Sequence, residues 1–78
     1  MKHQLKIQRP YYERILSGEK KFEIRYNDRD YQKNDILILN ALGSESTLKA
    51  KIIYIHTELG MAEGYVVLGI EVLGDEET

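Results

Sequence analysis

The chain has 78 residues and a mass of 9.1 kDa, enough for one domain that buries about 60–65% of the surface its unfolded form exposes. With 42% hydrophobic residues, 31% charged residues and a formal net charge of −2, it has the composition of a folded domain rather than a disordered segment. The absence of cysteine excludes a disulfide framework and thiolate metal sites, and no apolar run approaches the length of a membrane span.

Lys2 to Gln8 alternates, with His3, Leu5 and Ile7 on one face and polar residues on the other, which predicts a half-buried strand. His3 reads as a satisfied core histidine on that apolar face. The opening MKHQLKIQRP has no signal-peptide core, so a cytoplasmic location is expected. Pro10 suits the first turn of a helix running to Ser17, and Gly18 is its left-handed cap. Tyr11, Tyr12, Ile15 and Leu16 form the stripe with which this two-turn helix docks on the sheet.

A second strand spans Lys21 to Tyr26, with Phe22 and Ile24 expected inside and Lys21, Glu23 and Arg25 outside. After a polar loop, the unbroken run Ile36, Leu37, Ile38, Leu39 predicts a strand covered on both sides. Thr47 to Thr57 is a long strand with Leu48, Ala50, Ile52, Tyr54 and His56 on one face, and Lys49, Lys51, Ile53 and Ile55 on the other. Tyr65 to Leu73 is the last strand, with Val66, Leu68, Ile70 and Val72 on one face, and Gly69 marking a bulge or a close approach. Residues 1–74 are read as one domain and 75–78 as an acidic, frayed tail.

One strand, a short helix and four more strands cannot make an open sheet with two helical layers. They predict a small, mostly antiparallel β-barrel with the helix at one end, and Phe22, Ile24, Ile36, Ile38, Ile52, Leu68 and Ile70 in its core. Charge divides along the chain. Residues 1–33 hold nine basic and five acidic residues, a balance of +4, and residues 34–78 hold two and eight, a balance of −6. This division suggests one basic surface. The overall acidity argues against strong nonspecific binding of duplex DNA, and no duplex DNA specificity is expected.

The densest polar cluster joins the helix end to the second strand: Gly18, Lys20, Lys21, Glu23 and Arg25. Lysine, glutamate and arginine converging on one cleft supply fixed donors and an acceptor, suited to phosphate and to the edge of a base. The alternative is a solvated strand face carrying ion pairs. Tyr26, Tyr31 and Tyr65 are placed to stack a base, although burial with a bonded hydroxyl is the commoner fate of tyrosine. Arg29 adds a cation beside them. Two histidines without a ligand spacing give no metal site, and no cofactor motif is present. His56 lies at a strand end where it could border the cleft.

Gly18, Lys20, Glu23 and Arg25 reproduce a G-x-K-x-x-E-x-R pattern that resembles the signature of the ASCH domains. Asn34-Asp35-Ile36-Leu37 is similar to that family's entry to the next strand, with asparagine where glycine is usual. The chain looks most like a small uncharacterised ASCH-like family of bacteria and phages. The resemblance implies a PUA-like fold, a five- to six-stranded pseudobarrel with one short N-terminal helix. It implies a cleft for single-stranded or structured RNA, or for a nucleotide-like ligand, in a monomer or weak dimer. Some relatives are amidohydrolases acting on acylated cytidine, or ribonucleases. The amidohydrolases have a threonine where this chain has Glu23, and glutamate cannot replace that hydroxyl as acyl acceptor. Enzymatic alternatives therefore rest on water activated by Lys20 and Glu23, with Glu58 or Glu63 as second acid. A protein-interaction accessory module is a third reading.

Overall fold

The computed structural model describes residues 1–57 and 60–74. The strands are β1 (Lys2–Ile7), β2 (Phe22–Tyr26), β3 (Ile36–Ala41), β4 (Thr47–His56) and β5 (Tyr65–Gly74), with one helix, α1 (Arg9–Leu16). They form one five-stranded sheet in the order β1-β3-β4-β5-β2, curled into a half-barrel. Only β1 and β3 run parallel; the other pairs are antiparallel. The mostly-β class and the single short helix match the sequence reading. The acidic tail and Glu58 lie outside the described residues.

The core fills the concave side. Leu5 and Ile7 of β1, Leu37, Leu39 and Ala41 of β3, Leu48, Ala50 and Ile52 of β4, and Val66, Leu68 and Ile70 of β5 meet there, closed by Tyr12 and Ile15 of α1. Pro10 sits in the first turn of α1, as its missing N–H favours. The helical stripe is narrower than expected: Tyr12 and Ile15 are buried, whereas Tyr11 and Leu16 are exposed.

Three core assignments are corrected. On β3, Leu37 and Leu39 face the core, while Ile36 is half-buried and Ile38 lies on the opposite face. Ile38 is nonetheless only 1% exposed, beside its cross-strand neighbours Gln4 and Lys49, as its covered run predicts. On β4, a register shift between Ile52 and Tyr54 breaks the alternation. Tyr54 is thereby exposed and Ile55 packs on the core. Gly69 is a close approach, as expected: any Cβ there would collide with the Tyr54 ring.

The third correction is the largest. Phe22 and Ile24 are exposed, and Glu23 between them is buried. Glu23 and Arg25 pair with Leu68 and Val66, which belong to the core face, so β2 turns its charged residues inward. The reason is position. β2 is an edge strand, and its inner face looks across an open seam instead of into the apolar core.

That seam separates β2 from the other edge strand, β1. Among the described residues no backbone ladder joins them. Arg25 donates from Nη2 to the Lys6 carbonyl at 2.7 Å, and Arg29 from Nη1 to the Gln4 carbonyl at 2.8 Å. Two guanidinium groups thus bridge the half-barrel where strand pairing stops.

Candidate functional site

A cleft of about 750 Å³ opens along this seam, between β2, the end of β1, and α1. Its cationic side chains are Lys6, Arg14, Lys20 and Arg25, and its carboxylates are Glu19 and Glu23. Phe22, Ile24, Tyr11, Tyr26 and Tyr65 supply apolar and aromatic wall.

The turn after α1 delivers Lys20. Gly18 takes φ +87°, a left-handed conformation that glycine adopts without penalty. The Lys20 N–H then donates to the Arg14 carbonyl at 2.9 Å, tying the residue to the helix end. Its ammonium lies 4.3 Å from the centre of the Tyr11 ring and 5.3 Å from that of Phe22. Both rings are within the range of cation–π attraction. This gives exposed Tyr11 a role that core packing does not.

Glu23 is the polar centre of the cleft and is 5% exposed. Its Oε2 accepts from Arg25 Nε, and Arg25 Nη2 lies within 2.8 Å of the same oxygen. Lys20 Nζ stands 3.7 Å from Oε1. A buried carboxylate needs such cations, since isolated charge is costly in a poorly solvated site. At the rim, the rings of Tyr26 and Tyr65 meet edge to face with centroids 5.4 Å apart.

Of the residues singled out in the sequence, Lys20, Glu23, Arg25, Tyr26 and Tyr65 line the cleft. Gly18 shapes the turn without lining it, Lys21 points to solvent, and Arg29 serves the seam. Glu63 and His56 are exposed and outside the lining. Tyr31 is buried, its ring 4.9 Å from that of His3, so it cannot stack a ligand. Burial pushes its hydroxyl pKa up, against the opposing field of Arg29 and Arg25. Lys6, Tyr11 and Arg14 join the cleft without a local motif to announce them.

A second polar cluster sits at the start of the sheet. His3 Nε2 is 2.8 Å from Asp35 Oδ2, the terminal ammonium of Met1 donates to Oδ1 at 2.9 Å, and the Gln32 N–H donates to Oδ2 at 3.0 Å. Burial acts to raise the Asp35 pKa, but these partners outweigh it and hold the carboxyl at about 2. His3 is the satisfied core histidine that its apolar face predicted.

Fold and cleft define a small half-barrel domain whose open seam is lined by cations and aromatic rings. By sequence, residues 2–70 match the family described as "Domain of unknown function (DUF3850)", and the chain belongs to it. It is 40% identical over 38 residues to the "Uncharacterized 12.9 kDa protein in GpA 3'region" of Escherichia phage P2. That match takes in 49% of this chain and 35% of the phage protein, so it spans about a third of that relative's length. The crystal structure of hypothetical protein PH0355 aligns with 94% of this chain and 100% of its own, at a TM-score of 0.70 and 23% identity. This likeness is one of fold. Among the described residues, no helix is long and apolar enough to cross a membrane.

Proposed function

We propose that this chain is an ASCH-like, PUA-like module that binds RNA or a nucleotide through the cleft between β1 and β2. The observation that carries the reading is the charge of the cleft. Four cations and two carboxylates line it, in a chain whose formal net charge is −2. Cations gathered against the overall sign attract an anionic ligand locally and steer its approach. The exposed rings of Tyr11, Tyr26 and Tyr65 offer faces on which an unpaired base can stack. Such a ligand is one met in the cytoplasm.

The test is a titration of a fluorescent single-stranded oligoribonucleotide at two salt concentrations. Lys20→Ala should weaken binding by about 1–3 kcal/mol and flatten the salt dependence. Lys33→Ala, an exposed cation away from the cleft, should change affinity little. Equal losses in the two variants would reduce binding to general electrostatics, and no binding at either salt would overturn the reading. Hydrolysis of an acylated nucleoside that disappears in Lys20→Ala would replace binding by catalysis.

A further inference from the structure

The two oxygens of Glu23 have different surroundings. Oε2 accepts from Arg25. Oε1 has no hydrogen-bond donor among the described residues, and the Lys20 ammonium, 3.7 Å away, stops short of one. Yet Glu23 is buried and lines the cleft. A buried acceptor left without a donor costs stability, so such groups are rare unless another molecule supplies the missing partner.

We propose that the floor of the cleft is a subsite for the hydrogen-bonding edge of an unpaired nucleobase. Glu23 Oε1 accepts an N–H from the base, and Lys20 Nζ donates to the ring nitrogen or carbonyl oxygen beside it. This rests on the RNA-or-nucleotide reading and narrows it, because it assigns the floor to the base and leaves phosphate to the rim. A phosphodiester has no donor. Placed on the floor, it would leave Oε1 unsatisfied and set two anions together. Arg14 and Lys6 also line the cleft as cations, and neither belongs to the ion pairs of Glu23. The Watson–Crick edge of every base carries an N–H next to an acceptor, and in a duplex that edge is already occupied. The Glu23–Lys20 pair therefore selects single-stranded or flipped-out bases over paired ones. The rings of Tyr11 and Phe22 flank the ammonium and hold it in register with Oε1.

The experiment compares free nucleosides with forms whose edge donors are methylated: uridine and its N3-methyl form, cytidine and adenosine and their dimethylamino forms, and guanosine with N1 and N2 fully methylated. Binding is read from NMR titrations of the wild-type chain. At least one parent nucleoside should bind, and its methylated form should bind at least about tenfold more weakly. Glu23→Gln supplies the converse. Arg25 keeps the amide oxygen, so the amide nitrogen takes the place of Oε1 and presents a donor. That variant should lose the discrimination and bind inorganic phosphate more tightly than wild type does.

Parent and methylated forms binding equally to the wild type would overturn the proposal. So would inorganic phosphate displacing the nucleoside from the floor, or no nucleoside binding at millimolar concentration. If oligoribonucleotides still bind through Lys20 while methylation has no effect, the base-edge subsite is wrong and the RNA reading stands. If neither oligoribonucleotides nor nucleosides bind, both fall. The wild-type methylation series decides the matter even if Glu23→Gln fails to fold.

Discussion

Among the described residues the half-barrel buries two carboxylates, and their surroundings differ. Asp35 has a partner on each oxygen: the ammonium of Met1 on one, and His3 with the Gln32 N–H on the other. It sits just before β3, at the start of the sheet, and does not line the cleft. Glu23 is equally buried, but only one of its oxygens is hydrogen-bonded and it opens on the cleft. A closed polar cluster contributes order to the fold, whereas an incomplete one is expected where a ligand completes it. Asp35 should therefore govern stability, and Glu23 should govern binding.

The largest expected effect falls on the closed cluster. Asp35→Ala leaves His3 and the Gln32 N–H without their acceptor, and chemical denaturation should show a loss of about 3–5 kcal/mol. Glu23→Gln keeps an acceptor for Arg25 and should lose much less. If the two substitutions cost the same, the contrast between the clusters is wrong.

Next is the reversed pleat of β2. Leu37→Ala empties a fully buried site and should cost about 2–5 kcal/mol in the same assay. Ile24→Ala, at a position 51% exposed, should cost under about 1 kcal/mol. A large loss at Ile24 would restore the apolar face of β2 to the core.

Acid should act through Asp35. Its carboxyl is held at about 2 in the fold, against an ordinary value of 3.8. Because the folded value lies below the unfolded one, the linked stability is fully present above about pH 4. It is lost as pH falls through 2, and amounts to roughly 2 kcal/mol. Denaturation midpoints between pH 5 and 2 should fall in the wild type and fall less in Asp35→Asn.

The seam carries the smallest effect. Arg29→Ala removes one charged donor from an exposed carbonyl and should cost about 0.5–1 kcal/mol. A loss several times larger would mean that the arginine bridges, more than the core, hold the half-barrel in shape.

Much of this architecture is legible in the chain. The alternation of β1 and β5, the Gly18 turn and the unbroken run of β3 each report a local preference that the fold respects. Asn34 at φ +77° keeps the left-handed turn that glycine would supply. What escaped is set by position in the sheet. Nothing in Phe22-Glu23-Ile24-Arg25 says that its inner face borders a seam, so alternation alone points the wrong side inward. The clue was Glu23 itself, flanked by Lys20 and Arg25 and so able to tolerate burial. Likewise the β4 bulge moves Tyr54 outward with no glycine or proline on β4 itself, and only Gly69 on the facing strand marks the close approach. Tyr11 and Arg14 reach the cleft only because α1 packs beside it, and helical periodicity assigns one to the core and the other to solvent.

The central claim is that the cleft, and no other face, takes the ligand. Chemical-shift mapping of the isotopically labelled chain with a single-stranded oligoribonucleotide tests it most directly. The account predicts saturable shifts concentrated at Tyr11, Lys20 to Tyr26 and Tyr65, with Asp35 and the outer face of β4 at Lys49 and Lys51 unmoved. Shifts centred on β4, or none at millimolar ligand, would contradict it.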